Sequence, residues 1–168
     1  MKRIGIFYGS TTGTCENLAG QLAGELGVSN NDIHSADKLS TELIDSYDIL
    51  ILGTSTWGDG ELQDDWYDGI KILKEANLEG KTVALFGCGD SESYCDTFCD
   101  GMGLLYEALK DKGCTFIGNN VNTGNYNFSG SAAVVDGSFI GLALDDVNES
   151  DRTPSRISKW INELKKSL

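Results

Sequence analysis

The apolar quartets Ile49-Leu50-Ile51-Leu52 and Val83-Ala84-Leu85-Phe86 constrain this chain most. Neither alternates with polar residues, so a strand formed at either place must be covered on both faces. Both are far too short to span a bilayer. Weaker strand patterns stand at Ile4–Phe7, Ile33–Ser35, Thr115–Ile117 and Phe139–Leu144. Between them fall helical patterns. Leu18, Ala19, Leu22, Ala23 and Leu26 share one face of a helix over Gly13–Leu26, and a short helix is expected around Thr41–Ile44. Trp66, Ile70 and Leu73 mark a third helix, and Met102, Leu105 and Leu109 a fourth. Thr153-Pro154 reads as an N-cap followed by a proline at the first helical position, ahead of an apolar face of Ile157, Trp160, Ile161 and Leu164.

Strands alternating with helices imply a parallel sheet with helices on both sides. The expected class is α/β, a three-layer doubly wound fold with a five-stranded parallel sheet of order 2-1-3-4-5. The 168 residues are read as one domain, 1–168. Asn119 to Gly137, rich in Asn, Gly and Ser, breaks the alternation and is read as a long insertion within the fifth strand; structureless stretches of that length are often functional.

In this architecture ligands sit beyond the carboxyl ends of the strands, and the chemistry-bearing loops all follow such ends. The first is Ser10-Thr11-Thr12-Gly13-Thr14-Cys15, where a strand runs through hydroxyls and glycine into a helix. Free amides at the helix start, with added hydroxyl donors, make an anion cradle. No lysine or arginine occurs between Arg3 and Lys38, so a phosphate held here would be held by neutral dipoles. The second loop, Thr54-Ser55-Thr56-Trp57-Gly58-Asp59-Gly60-Glu61, places a tryptophan among glycines and acids, suited to stacking a planar ring. The bland alternative is a tryptophan tucked under its own loop. The third, Gly87-Cys88-Gly89-Asp90-Ser91-Glu92-Ser93-Tyr94, offers Tyr94 as a second stacking face and Asp90 as an acceptor for a ring N–H. The bland reading of Asp90 is a turn or cap residue. Gly87-x-Gly89 is no dinucleotide fingerprint, and the Gly-Lys-Ser/Thr of a P-loop is absent. One neutral phosphate cradle and two aromatic loops point to a mononucleotide with a large flat ring, and FMN fits best.

The net charge of -13 argues against nucleic acid and anionic membranes and favours basic protein surfaces. The start Met-Lys-Arg-Ile lacks the apolar stretch of a signal peptide, so a cytoplasmic protein is expected. The sequons Asn127-Phe128-Ser129 and Asn148-Glu149-Ser150 would then go unmodified. Five cysteines, an odd number, argue against a disulfide framework. Cys88, Cys95 and Cys99 match no common zinc or ferredoxin spacing, so no metal is expected. His34, the single histidine, is placed at the surface or on an edge strand.

With these loops in view, the chain resembles the flavodoxins of the long-chain type over essentially its whole length. Ser10-Thr11-Thr12-Gly13-Thr14 resembles the family's phosphate loop, Thr56-Trp57-x-x-Gly60 its inner flavin loop, and Gly89-Asp90 through Tyr94 its outer loop. Ile140-Gly141-Leu142-Ala143-Leu144-Asp145 resembles the strand that closes the long-chain insertion. The resemblance implies a low-potential one-electron carrier, not an enzyme, whose noncovalent FMN moves between quinone, semiquinone and hydroquinone states to serve redox enzymes. It implies phosphate binding by residues 10 to 15, a ring held between Trp57 and Tyr94, and N3–H bound by Asp90. It also implies that Gly58-Asp59 faces N5, where a peptide flip would let a carbonyl accept the N5 proton. Ser55, Thr56, Gly60, Cys88, Gly89, Thr97 and Cys99 complete the implied cofactor shell. Cys15 stands where the family usually has a threonine that donates to phosphate, and Cys88, Thr97 and Cys99 also depart from common residues; a thiol is the weaker donor. A monomer is expected, with a reductase as donor and an electron-accepting enzyme as partner.

Asp59, Glu61, Asp64, Asp65 and Asp68 form an acidic cluster beside the second loop. It is either a solvated helix face or a device that lowers the hydroquinone potential and steers basic partners. Two rival functions fit part of this pattern. A quinone reductase on the same fold would need a nicotinamide or quinone site, which only the Asn119–Gly137 insertion could supply. A receiver domain needs acids at the ends of strands 1 and 3, where this chain has Tyr8-Gly9-Ser10 and Gly53-Thr54-Ser55.

Overall fold

The computed structural model describes residues 2–57 and 59–168. Its centre is β3 (Ile49–Trp57). On one side of β3 lies β1 (Ile4–Gly9), followed by β2 (Ile33–Ser35) at the margin. On the other lies β5 (Thr82–Cys88), which pairs with both β6 (Thr115–Phe116) and β10 (Leu142–Leu144). All these pairings are parallel. With β6 and β10 as two halves of one strand, the order is the 2-1-3-4-5 expected from sequence, and the insertion does divide the fifth strand.

Side-chain alternation along the strands builds two cores. Ile49 and Ile51 face α1 (Thr14–Leu26) and α5 (Thr153–Lys165), packing with Leu18, Leu22, Ile157 and Trp160. Leu50 and Leu52 face α3 (Asp65–Glu75) and α4 (Asp100–Leu109), packing with Trp66, Leu73, Met102 and Leu105. The short α2 (Thr41–Asp45) is capped by Ser40, whose hydroxyl accepts from Leu43 N at 3.1 Å. These are the three layers that burial on both sheet faces demands.

Three sequence expectations are corrected. Phe139 does not continue the fifth strand. It lies in β9 (Ser138–Phe139), which pairs antiparallel with β7 (Val121–Asn122) and β8 (Val134–Val135). The insertion is therefore not structureless: it carries a three-stranded sheet of its own. Thr153 is not the N-cap of α5 but its first residue, and its hydroxyl donates to Asp146 Oδ1 at 2.8 Å. His34 stands on the edge strand, half-buried, with Nε2 2.8 Å from the Tyr47 hydroxyl. That hydroxyl donates its one proton to Asp32 at 2.9 Å, so His34 carries its proton on Nε2 and donates.

Candidate functional site

The loops after β1, β3 and β5 meet at one end of the sheet, because parallel neighbours bring their carboxyl ends together. Gly13 ends the first loop at φ 91°, with open space where a Cβ would stand, and α1 starts at the next residue. A side chain there would be strained by the backbone alone. The first helical bond runs from Asn17 N to Gly13 O at 3.0 Å, so the amides of Thr14, Cys15 and Glu16 stand ahead of it at the open helix end. Thr11 and Thr12 are exposed, and Ser10 Oγ accepts from Gly13 N at 3.1 Å.

Cys15 requires a correction. Its side chain is fully buried and packs with Cys88, the sulfurs 3.1 Å apart, so no thiol is offered to the cradle. What Cys15 offers is its amide. The bond to Cys88 and burial push this thiol well above its ordinary range. Cys88 is likewise buried, and so is Cys99, whose sulfur turns to Leu144 O at 3.9 Å. The side chains of Cys88 and Cys99 thus serve packing, and only their backbones remain for a ligand.

The second loop leaves β3 at Trp57, which is 40% exposed and not tucked beneath its own loop. Thr56 and Trp57 pair antiparallel with β4 (Glu61–Leu62), and Thr56 Oγ1 accepts from Gly101 N at 3.0 Å. Asp59 and Glu61 are exposed. Gly60 has φ 99°, and a Cβ there would meet Asp100 Oδ2 at 2.7 Å. Gly58 lies outside the described residues.

Tyr94, 44% exposed, stands on a loop of different construction. Asp90 Oδ1 accepts from Glu92 N at 3.2 Å, Ser93 N at 3.0 Å and Asn148 Nδ2 at 2.8 Å. The amide of Ser93 and the side chain of Asn148, bonding to the charged form, hold its carboxyl below the ordinary range. Asp90 thus shapes the turn, as its bland reading had it. Gly89 N donates to Leu144 O at 2.9 Å.

Two buried hydroxyls in this cluster, Ser55 Oγ and Thr97 Oγ1, have no hydrogen-bond partner among the described residues. An orphaned buried polar group is costly, and a ligand with polar edges would relieve it. Together with the cation-free cradle and two exposed aromatic faces, they fit a flat, phosphate-tailed ligand.

Sequence reasoning passed over three residues that position these loops. Gln63, buried, donates to Thr11 Oγ1 at 3.2 Å and accepts from Asp65 N at 2.9 Å, tying the first loop to the second. Asp145, fully buried just past β10, accepts from Ser91 N at 3.2 Å, from the Ser91 hydroxyl, and from Asn148 N at 3.0 Å. Asp100, whose carboxyl burial pushes up, accepts from Ala132 N at 2.6 Å beside Gly60. Among the described residues no group of His, Cys, Asp and Glu could hold a metal ion, and no helix is long and apolar enough to cross a membrane.

The family model described as Flavodoxin matches residues 6–160. Flavodoxin 1 of Escherichia coli strain K12 is 41% identical over 169 residues, covering 100% of this chain and 96% of its own. The flavodoxin of Haemophilus influenzae is 41% identical over 165 residues, covering 98% and 94%. Among solved structures, Fusobacterium nucleatum flavodoxin bound to flavin mononucleotide superimposes with a TM-score of 0.90 at 34% identity, covering 100% of this chain and 99% of its own.

Proposed function

This chain belongs to the flavodoxin family, and from that premise we propose how its loops hold FMN and meet redox partners. It is an electron-transfer protein carrying noncovalent FMN, an electron carrier and not an enzyme. Bound FMN supplies the redox chemistry; the protein supplies binding and electrostatics. One observation carries the site assignment: a helix start whose loop holds no lysine or arginine, and two exposed aromatic side chains, stand on loops that follow the carboxyl ends of neighbouring parallel strands.

In this reading the whole chain, 1–168, is one FMN-binding domain. The amides of Thr14 and Cys15, with the hydroxyls of Ser10, Thr11, Thr12 and Thr14, take the phosphate. Trp57 and Tyr94 flank the ring. Ser55 Oγ and Thr97 Oγ1 find their partners on the ligand's polar groups. Gly89 and the loop that Asp90 shapes approach the ring edge, with Cys88 and Cys99 as support. Asp59 and Gly60 cover the other edge, and the Gly58-Asp59 peptide turns to hold a proton at N5. For Gly58 this rests on sequence, since glycine makes such a turn cheap. Gly58→Val therefore lowers the fraction of one-electron-reduced protein at half reduction; an undiminished fraction removes the peptide from the mechanism.

Redox proteins are the partners of a carrier in this family. Their docking faces are basic, drawn to the exposed acids at 59, 61, 64 and 68 on a monomer of net charge -13. The decisive experiment is a visible spectrum of the protein with added FMN through stepwise anaerobic reduction. A bound-flavin spectrum passing through a one-electron stage supports the reading, and no flavin binding overturns it.

A further inference from the structure

Cys15 and Cys88 are free thiols, fully and nearly fully buried, with sulfurs 3.1 Å apart. They join two elements that are remote in sequence: the first turn of α1, which presents the cradle amides, and the last residue of β5, where the outer loop begins. Cys99 is occupied elsewhere, against Leu144 O, and Cys114 donates to Leu109 O at 3.6 Å. Cys15 and Cys88 are thus a matched pair, set beneath the site.

We propose that Cys15 and Cys88 form a reversible disulfide in the FMN-free protein, and that the bond closes the phosphate cradle. The closure rests on the reading of residues 10 to 15 as the phosphate loop. A disulfide has sulfurs about 2.05 Å apart, so the pair must approach by about 1 Å. The yielding side is the start of α1, where a Cβ on Gly13 would meet no other atom within 4 Å. Moving that turn displaces the amides of Thr14 and Cys15, and hydrogen bonds weaken steeply as distance and angle depart from ideal.

The same burial sets the timing. Thiolates are the nucleophiles, and Cys15 is held protonated by its neighbour and its surroundings. A filled cradle keeps the pair sealed, whereas an empty one opens locally. A glutathione-type disulfide supplies the oxidising equivalents. Cys88 loses its proton to water, attacks one sulfur of that disulfide and releases one glutathione thiolate. Cys15, deprotonated in turn, attacks Cys88 Sγ and expels the second. Two protein thiols are oxidised and one small disulfide is reduced to two thiols.

The test treats the full-length, FMN-free protein with oxidised glutathione and maps its cysteines by peptide mass. The expected product has lost two hydrogens and links residues 15 and 88, while the FMN-loaded protein keeps its thiols. The oxidised form binds FMN at least tenfold more weakly, and reductant restores it. Cys15→Thr and, separately, Cys88→Ser abolish the linked peptide, and mapping of the unmutated chain stands even where a variant fails to fold. Free thiols throughout, or a dominant pairing other than 15 with 88, overturns the disulfide. A 15–88 bond with unchanged FMN affinity overturns the closure. Failure of the reduced protein to bind FMN sinks the functional reading instead, and the mapping still decides the disulfide.

Discussion

The two aromatic loops are built to opposite specifications. The loop bearing Tyr94 is anchored from several directions. Ser91 is bound to Asp145, Asp90 to Asn148, and Cys95 O receives Ser129 N at 2.7 Å and Gly130 N at 3.0 Å. Phe98 N reaches Gly130 O at 3.2 Å, and the Phe98 ring sits among Tyr126 and Phe128 of the insertion and Phe139 of β9. Arg156 adds a guanidinium over the Tyr126 ring at 3.8 Å. The described part of the loop bearing Trp57 has a two-residue strand pairing and one bond from Gly101. Among the described residues, one wall of the site is therefore tied from more directions than the other. The insertion, which begins 25 residues beyond Tyr94, acts as the buttress of the more tightly tied wall.

The sharpest way to break this contrast is Phe98→Ala. Removing a fully buried ring costs about 4 kcal/mol of apoprotein stability in urea unfolding. FMN affinity falls with it, because the wall itself sags; a loss under about 1 kcal/mol would mean that the insertion is no buttress. Trp57→Ala works the other way. FMN binding weakens about tenfold, while apoprotein stability stays within about 0.5 kcal/mol, since an exposed ring on a lightly tied loop holds little together. Equal effects on affinity and stability would abolish the distinction. Neutralising Asp59, Glu61 and Asp65 together raises the potential of the second reduction step and slows partner reduction about tenfold at low salt, an effect that high salt erases. Unchanged potentials and rates would leave the acids as a solvated face.

The smallest effects separate two carboxyls by sign. Asp90 lies below the ordinary range, so it contributes stability above the ordinary pKa that vanishes as pH falls through its lowered value. Asp100 is pushed up by burial, against the pull of the Ala132 amide, with Asp59 adding to the push. Its contribution is complete below the ordinary pKa and is lost as pH rises through the raised value. Asp90→Asn thus lowers stability at pH 7 and Asp100→Asn raises it, each by less than about 1 kcal/mol where solvent reaches the group. The Asp100 difference disappears as pH falls through the raised value to the ordinary pKa, and the Asp90 difference fades only below it, which unfolding at several pH values reads directly.

The contrast also explains what sequence could show. The three loops were legible because each is contiguous and follows an apolar run that can only be a buried strand. The buttress was not, because β7, β8 and β9 are two residues each and a period cannot be read in two residues. Its core joins Phe98 to Phe139, a pairing no local pattern announces. Cys15 was misread although the signal was present. It precedes Leu18 and Ala19 at i+3 and i+4, on the buried face of α1, so its thiol belonged to the core from the outset. Asp90 carries both readings, because an acceptor for a ring N–H and a turn-shaping carboxylate look alike in sequence.

The margins of the main sheet have a consequence for self-association. One border is β2, three residues long; the other is divided between β6 and β10, two and three residues each. An unpaired strand is a template for another chain, and a short one is a poor template. By interrupting its last strand, the chain never presents a long unpaired rim on either side. Either margin is thus a poor template for zipping onto a copy of the same chain.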